Sequence, residues 1–477
     1  MHPVKWASTM KIAYIHYHLK TGGVTTVLKH QVEAVRDVSE ILVLAGEPPE
    51  SPFPTETIHI PGLAYDSVAG KVHDPTEVAE SIIEAIRSRW EDGCDILHVH
   101  NPTLAKNKNL LNILKILQRK NIRLFLQIHD FAEDGRPLFY YLEEYVPDCH
   151  YGVINSRDYE ILLNTGLNEK GLHLISNIII PFDFKPEDPV TDEYILYPIR
   201  AIRRKNIGEA ILLSQFFQQG ETLAVTLPPN SPADIKSYND WKTFVETENL
   251  PILFEAGLRY DFKELVRSSK FLITTSITEG FGFSFLEPWT AKKILWGRKL
   301  PPICRDFEKN GIQLNHLYTS LEVPTDWIGK RAFYTEWKSW FLKSCQNFNY
   351  FPEADKIDNA YKMITRDDTI DFGLLHEPFQ KKIISRILDS KADKARLISL
   401  NPYLSQPGKT PGENLIQKNR KAVLDCYSKS IYRRRLLEIY TRVMKDTVQL
   451  RIDKKRLISA FLDPENFSLL KWSDYGI

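Results

Sequence analysis

The sequence lacks the features of several large protein classes. Its five cysteines are widely spread along 477 residues and form no Cys-x-x-Cys pair, which argues against a disulfide framework or a zinc site and favours a reducing compartment. No apolar run reaches the roughly 18 residues that a membrane-spanning helix needs, and the N-terminus has no signal-peptide core. We therefore predict a cytoplasmic protein without a transmembrane segment.

Cofactor motifs are also missing. The chain contains no Asp-x-Asp sequence, so the usual carboxylate pair for holding a metal–diphosphate complex is absent. It has no Gly-x-Gly-x-x-Gly fingerprint, which disfavours a nicotinamide enzyme, and no spacing suggests a Ser-His-Asp triad. We predict that the protein requires neither a metal ion nor a bound cofactor.

No charge of one sign dominates. Lys and Arg number 62 against 61 Asp and Glu, for a net charge of +1, so there is no electrostatic case for a nucleic-acid partner. A hydrophobic content of 43% and a charged content of 26% are ordinary for a soluble protein. The length exceeds what one hydrophobic core supports and predicts two large domains.

The first 180 residues alternate between strand-like and helix-like segments, which predicts a parallel sheet covered on both faces. Helical periodicity is clear over residues 24–35 and in Asn109–Leu117, and residues 181–190 carry three prolines and resemble a linker. The predicted strands are Lys11–Ile15, Ile41–Ala45, Ile96–Val99, Arg123–Ile128, Tyr151–Asn155 and His173–Ile178.

A second alternating block follows. It comprises strands at Tyr194–Ile199, Thr222–Leu227, Ile252–Glu255 and Phe271–Thr275 and a helix at Asn206–Phe217. Two doubly wound α/β domains that face a central cleft are the expected architecture, with ligands at the carboxyl ends of the strands.

Domain boundaries follow from these blocks. Residues 330–410 lack clear periodicity, and 400–413 resemble a loop before two amphipathic helices at Asn414–Tyr427 and Ile431–Val443. We predict a disordered extension at 1–9, a first domain at 10–183, a second at 184–430 with an unplaced segment at 300–410, and C-terminal helices at 431–477 that pack back on the first domain.

Two glutamates, Glu279 and Glu287, flank the most informative motif. An apolar strand at 271–275 precedes them, Gly280 and Gly282 lie between them, and a helix-like run follows. A strand–loop–helix turn of this kind presents backbone N–H groups to an anion. Carboxylates accept from pairs of hydroxyls, so the motif suits a sugar nucleotide, although a surface loop with a solvated glutamate is the alternative.

Two further positions have anion-binding character. Gly22 and Gly23 follow the first strand and open a helix, where glycine permits close approach of a ligand, but a tight turn is about as consistent with the sequence. Arg200 and Lys205 flank the strand end at 199 and could bind a diphosphate. A solvated basic turn is the alternative for this pair.

Histidines also follow strands. His129 comes directly after the strand that ends at Ile128, where an imidazole could contact a substrate hydroxyl or transfer a proton; a structural histidine is equally consistent. His98 and His100 lie on one face of a strand, where a core role is favoured over metal ligation.

Together these motifs resemble the retaining GT-B glycosyltransferases of family four. Gly22 and Gly23 resemble the family's N-terminal glycine loop, and His129 and Asp130 its histidine motif. Asn419, Arg420 and the helices over 427–440 resemble its C-terminal helices. Arg200 and Lys205 resemble its phosphate-binding pair, and 279–287 its two-glutamate motif. The resemblance spans roughly residues 10–290 and 411–445, but the family's Ala-x-Gly-x-Pro segment is replaced after Glu287, and 300–410 have no recognisable counterpart.

The resemblance implies a transfer of sugar from a UDP-, GDP- or ADP-sugar to an acceptor hydroxyl, without metal and with retention of configuration. The acceptor would be a soluble sugar or glycoside. The alternatives are a phosphorylase or a sugar-nucleotide epimerase on the same fold, and a non-catalytic sugar-nucleotide binder.

The resemblance also implies residue roles. Arg200 and Lys205 would bind the donor diphosphate, Glu287 the ribose, and His129 the transferred sugar near its reacting carbon. Glu279 would bind the hydroxyls of the donor sugar. The backbone amides of Gly280, Phe281 and Gly282 would contact the sugar and phosphate. Gly22 and Gly23 would close over the diphosphate.

Overall fold

The computed structural model of the protein describes residues 9–70, 73–184, 194–409, 412 and 414–474. Residues 1–8 of the predicted extension and 185–190 of the predicted linker lie outside the described residues. The chain divides into two compact units. The first contains the described residues up to Ile178 together with Tyr427–Phe461, and the second contains Ile179–Cys426 and the described residues from Leu462 onward.

The first unit is built on a seven-stranded parallel sheet, as the alternation of apolar strands and amphipathic helices predicts. Its strand order is β3-β2-β1-β4-β5-β6-β7. The elements are β1 (Met10–His16), α1 (Gly23–Val35), β2 (Ser39–Ala45), β3 (Thr57–His59), α2 (Asp66–Ala69), α3 (Pro75–Arg89), β4 (Ile96–His100), α4 (Leu110–Arg119), β5 (Leu124–Ile128), β6 (His150–Val153), α5 (Ser156–Asn164) and β7 (Leu172–Leu174).

The second unit contains a five-stranded parallel sheet of order β10-β9-β8-β11-β12 and an antiparallel pair, β13 and β14. Its elements are β8 (Tyr194–Arg200), α6 (Ile207–Ser214), β9 (Thr222–Leu227), α7 (Pro232–Thr247), β10 (Ile252–Leu253), α8 (Ala256–Arg259), α9 (Phe262–Arg267), β11 (Ser269–Thr274), α10 (Glu287–Thr290), β12 (Leu295–Gly297), α11 (Pro301–Lys309), β13 (Glu322–Pro324), α12 (Thr325–Ile328), α13 (Lys330–Asn347), α14 (Ala354–Ile364), β14 (Thr369–Asp371), α15 (Glu377–Asp389), α16 (Lys391–Leu400) and α17 (Leu415–Tyr427).

The chain then returns to the first unit with α18 (Lys429–Lys445) and α19 (Lys454–Phe461). On one face of the first sheet, α18 packs beside α1 and closes an apolar cluster that includes Tyr14, Leu436 and Tyr440. The Tyr14 and Tyr440 hydroxyls lie 2.7 Å apart, so the aromatic contact also pairs two buried polar groups. The prediction of two doubly wound α/β domains is confirmed.

The last residues differ from the predicted division, which assigns all of 431–477 to the first domain. Leu462 onward belongs to the second unit, where α20 (Leu469–Trp472) packs on α13. Trp472 stacks on Phe467 with ring centroids 5.6 Å apart, and Phe467 meets Phe341 of α13 at 5.1 Å. These aromatic contacts hold the end of the chain against the second unit.

The unplaced segment at 300–410 is part of the second unit and is largely helical. Phe333, Trp337, Phe341 and Cys345 recur every fourth residue along α13, and all four are buried. This spacing gives one apolar helical face. The predicted helix after Glu287 is only four residues long, because Lys292 adopts a left-handed backbone conformation with φ of 58° and the chain turns into β12.

A buried ion cluster joins this segment to the sheet. The Arg298 guanidinium donates to both carboxylate oxygens of Glu209, at 2.9 and 2.7 Å, and to both of Asp371, at 2.7 Å each. Tyr318 donates a further bond of 2.7 Å to Glu209. Burial raises the pKa of Glu209, although the charge of Arg298 opposes the shift. The cluster therefore links α6, β12 and β14 around one cation.

Replacing Arg298 with Met should destabilise the second unit severely, by about 3–5 kcal/mol, because it leaves a buried carboxylate without its partner. Chemical denaturation of the full chain measures the change. The matched control is Arg366→Met, which removes an arginine whose pair with Asp367 is exposed, at 74% and 84%. Equal stability of the two variants would contradict a structural role for the cluster.

Candidate active site

A cavity of about 180 Å³ lies in the second unit near the ends of β8 and β11. In parallel α/β sheets, ligands bind outside the carboxyl ends of the strands. Four residues predicted from the sequence line this one cavity. Its wall consists of Phe182, Pro198, Ile199, Arg200, Lys205, Phe262, Val266, Leu272, Glu279, Phe283, Ser284, Glu287 and Pro288.

Buried hydroxyls tie together the two loops that carry the charged residues. Tyr197 of β8 donates to the Lys205 carbonyl at 2.6 Å. Thr275, at the end of β11, donates to the carbonyls of Lys205 and Asn206 at 3.0 and 2.9 Å. The Ile277 amide donates to the Arg204 carbonyl at 3.0 Å. The positions of the basic loop and the glutamate loop are therefore coupled through the backbone.

Lys205 and Glu279 form a salt bridge inside the cavity wall, with side chains only 15% and 8% exposed. Arg204 flanks the same carboxylate at 3.4 Å and donates to the Thr278 carbonyl at 3.0 Å. Burial works to raise the pKa of Glu279, but Lys205 and Arg204 outweigh it and hold the pKa below its usual value. Burial lowers the pKa of Lys205, against the opposing charge of Glu279.

Glu287 is the first residue of α10 and lies on the same cavity without a salt bridge to any described residue. Burial raises the pKa of its carboxyl to about 7, and the charge of Lys205 only partly opposes the shift. The two glutamates are thus chemically distinct. Glu279 is ionised and paired, whereas Glu287 is poised to change protonation near neutral pH.

The other basic residues of the β8 loop have separate roles. Arg200 lines the cavity with an exposed side chain, and its guanidinium donates to the Pro228 carbonyl at 3.0 Å. Arg203 lies away from the cavity wall and forms two bonds to Glu377, at 2.7 and 2.9 Å. The sequence run of three cations therefore divides into one structural residue, Arg203, and two that contact Glu279.

Glycine is required at one position of the glutamate loop. Gly282 has φ of 91°, and a Cβ atom there would come within 2.9 Å of Phe285 and 3.1 Å of Ile303. The Phe281 side chain is buried and contacts Phe307, with ring centroids 5.8 Å apart. Gly280, Phe281 and Gly282, which the resemblance assigns to the donor site, are not among the residues that line the cavity.

The remaining predicted residues belong to the first unit. Gly22 is extended, with φ of 178°, and precedes α1. A Cβ atom on Gly22 would meet only the Lys20 carbonyl oxygen, at 3.9 Å, and one on Gly23 would meet nothing within 4 Å. The fold of the described residues thus does not require glycine at either position, and open space lies beside both.

His129 is buried at the end of β5, and its Nε2 lies 2.9 Å from Nδ1 of His100. Burial lowers the pKa of His129 to about 4, so the ring is neutral at pH 7. The amides of His129 and Asp130 both donate to the Asn101 side chain, at 2.8 and 3.1 Å. His98 is a buried structural residue that contacts Gln127 at 2.9 Å and Tyr440 at 2.8 Å.

Comparison with known proteins agrees with this architecture. No protein-family model matches the chain. The mannosylglucosyl-3-phosphoglycerate synthase of Petrotoga mobilis is 28% identical over 411 residues, covering 77% of this chain and 79% of the relative. A glycosyltransferase from Rickettsia africae has the same fold, with a TM-score of 0.52 at 11% identity over 92% of this chain and all of the other. The HepE protein of Anabaena, solved with UDP-glucose, has a TM-score of 0.50 at 12% identity, over 90% of this chain and 98% of the other.

The chain has the GT-B fold. Among its described residues, no helix is long and apolar enough to cross a membrane. The same residues contain no group of three or more His, Cys, Asp or Glu side chains placed to hold a metal ion.

Sequence reasoning gave Arg204 no specific role and missed Tyr197 altogether. Arg204 lies between Arg203 and Lys205 in the sequence, and such runs of charge are usually solvated. Tyr197 gives only a weak signal in the sequence. Its hydroxyl lies in an otherwise apolar strand, and a buried hydroxyl requires a hydrogen-bond partner. Its partners become visible only when β8 and β11 are placed side by side.

The pKa of Glu287 leads to a pH prediction. The ionised carboxylate accepts hydrogen bonds from hydroxyls more strongly than the neutral carboxyl, which also loses an acceptor position to its proton, so nucleotide-sugar affinity should rise as pH increases through 7. Between pH 6 and 8 we expect a change of about tenfold, since the ionised fraction of a group with pKa near 7 changes by about that factor. Calorimetry with UDP-glucose or GDP-mannose measures the affinity, because the phosphates of these diesters do not titrate in this range.

Glu287→Gln is the control for this measurement, because it should weaken binding and remove the pH dependence. His129 cannot supply the same profile, since the pKa of its imidazole is about 4. An unchanged pH dependence in the Gln variant would show that another group is responsible.

Proposed function

We propose that the protein is a glycosyltransferase that transfers a hexosyl unit from a nucleotide-diphosphate sugar to a hydroxyl of a sugar glycoside, with retention at the anomeric carbon and without a metal ion. The observation that carries this proposal is the cavity that gathers Arg200, Lys205, Glu279 and Glu287 at the sheet edge of the second unit. A nucleotide-diphosphate sugar carries a diphosphate, which the two cations can bind, and hydroxyls, which the two carboxylates can bind.

The relative from Petrotoga mobilis narrows the acceptor. Its name denotes a product composed of mannosyl, glucosyl and 3-phosphoglycerate units. We infer that this chain acts on an acceptor of the same kind, a small glycoside that carries an anionic group, with GDP-mannose as the first donor to test. All five cysteines are free, which supports the reducing cytoplasm as its compartment.

The cavity suggests a division of labour during transfer. Lys205 and Arg200 bind the diphosphate and stabilise its negative charge as the bond from its oxygen to the anomeric carbon breaks. Glu279, held in place by Lys205, binds hydroxyls of the sugar that flattens in the transition state. Glu287 binds the ribose, which does not change in the reaction.

The new bond forms between the acceptor oxygen and the anomeric carbon, and the acceptor proton passes to the leaving phosphate. Neither glutamate acts as a nucleophile, in contrast to the carboxylate pair of a retaining glycosidase. Catalysis then depends on positioning and on stabilisation of charge.

A donor and acceptor screen tests the function. The purified protein is incubated with UDP-glucose, GDP-mannose or ADP-glucose and with glucosyl-3-phosphoglycerate, and the one-bond coupling between the anomeric carbon and its proton in the product is measured by NMR. All three donors are α-linked, so retention predicts an α-linked product from the donor that is turned over. A β-linked product would refute retention, and the absence of turnover with every donor would refute the proposed function.

Lys205→Met should lower turnover at saturating donor by about two to three orders of magnitude, the usual loss when one preorganised charge-stabilising contact is removed. The matched control is Lys263→Met, an exposed lysine beside the cavity residue Phe262. It should retain wild-type turnover. Similar turnover in the wild type and Lys205→Met would contradict the leaving-group role, provided that both fold.

Activity should persist in excess chelator. The expectation rests on the missing Asp-x-Asp sequence and on the cations of the cavity, which can bind a diphosphate directly. Initial rates are measured with and without EDTA after dialysis against the chelator. Complete loss of activity, restored by one divalent ion, would overturn the metal-independent mechanism.

A further inference from the structure

A second polar cluster lies in the first unit, outside the groups assigned to donor binding. His16, His18, Tyr65 and Lys106 form it, and it is called the Lys106 cluster below. The rings of His16 and His18 have centroids 5.2 Å apart, and those of His18 and Tyr65 are also 5.2 Å apart. The Lys106 ammonium lies 4.7 Å from the Tyr65 ring centroid and 3.1 Å from the Tyr65 hydroxyl.

Lys106 is a largely buried cation without a counter-ion. No described carboxylate lies within salt-bridge distance of its ammonium, whose neighbours are the Tyr65 hydroxyl and the rings of Tyr65 and Phe139. Burial lowers the pKa of Lys106, and the charge of Asp130 opposes the shift. A desolvated ammonium of this kind is costly unless an anion compensates it.

The histidines add unused hydrogen-bonding capacity. His16 is only 3% exposed, and its Nδ1 atom has no partner. Nδ1 of His18 is also buried without a partner. Burial is the main cause that lowers the pKa of both rings, and the charge of Lys106 lowers it further. Each neutral ring can donate one N–H.

Nearby carboxylates are mostly neutralised by other cations. Asp130 pairs with Arg136 at 2.7 Å, and Glu47 pairs with Lys20 at 2.6 Å. Glu50, whose charge also acts on His18, is exposed. The charge of Lys106 is therefore only partly compensated, by the more distant Asp130.

We propose that the Lys106 cluster binds an oxyanion carried by the acceptor, a phosphate or a carboxylate group. The inference rests on the proposed function, since it assigns the anionic part of that acceptor to the first unit. An ammonium with two imidazole N–H groups and a phenol can surround an oxyanion with charge-assisted hydrogen bonds. Partial exposure of Lys106 and His18 leaves the cluster accessible from solvent.

The cluster is connected to His129. The rings of His16 and His100 have centroids 6.1 Å apart, and His100 contacts His129 at 2.9 Å. An acceptor anchored at Lys106 would therefore lie next to a buried row of histidines at the ends of β1, β4 and β5. This arrangement gives His129 a role in positioning the acceptor.

Three small probes separate the two sources of an oxyanion. Glycerol 3-phosphate carries only a phosphate, glycerate only a carboxylate, and 3-phosphoglycerate carries both. Their affinities are measured by calorimetry on the full-length wild type, Lys106→Met and Lys108→Met. Lys108 is an exposed lysine two residues away, so it controls for the general loss of one positive charge.

We expect 3-phosphoglycerate to bind the wild type. Its affinity for Lys106→Met should be lower by about tenfold or more, which is the usual loss when a hydrogen bond to a charged group is removed. Lys108→Met should bind like the wild type. Binding of glycerol 3-phosphate alone identifies a phosphate site, and binding of glycerate alone a carboxylate site. Unchanged affinity in Lys106→Met, or no binding of any probe to the wild type, overturns the inference.

A second variant and an independent readout keep the test decisive. If Lys106→Met does not fold, His18→Asn should produce the same loss of probe binding. Hydrolysis of the nucleotide sugar without acceptor reports on the proposed function alone. Normal hydrolysis with no effect at Lys106 refutes only the oxyanion site, whereas no hydrolysis or transfer in the wild type refutes the proposed function.

Discussion

The salt bridge between Lys205 and Glu279 is the interaction on which the candidate active site depends. Both groups are removed from water, and each is tolerated there because the other compensates its charge. Their contact fixes two loops from neighbouring strands, and the hydroxyls of Tyr197 and Thr275 brace the same loops through the backbone. A site whose catalysis relies on fixed charges needs this rigidity, because reorientation of dipoles during the reaction would cost free energy.

Residues 300–410 stabilise the region around this site through two ion pairs. Two arginines connect them to the β8–β12 region, the buried Arg298 through Asp371 and the partly buried Arg203 through Glu377. Arg203 and Lys205 belong to one short turn, so the helix that contains Glu377 helps to hold the turn that carries Lys205. The segment without a recognisable counterpart thus stabilises the second unit near the candidate site.

The sequence was informative where a short pattern determines the structure. The apolar strand before Glu279 and the glycine at 282 predict the strand and turn that place both glutamates on one cavity. The helix α13 was missed, although its buried residues recur every four positions, because Trp340, Leu342 and other apolar residues on its other faces obscure the repeat. The unequal pKa values of Glu279 and Glu287 could not be predicted, since they depend on which cation each carboxylate meets in space.

The order of the chain has a consequence for how the protein is made. The sheet of the first unit is covered on one face by α18, which follows it by about 250 residues of the second unit. During synthesis from the N-terminus, Tyr14 of this face and Gln31 of the neighbouring α1, whose side chain later contacts Tyr432, are in place long before α18 exists. The nascent chain must therefore carry an open hydrophobic surface through the synthesis of an entire second domain, which makes this face a natural site for chaperone binding and for misassembly.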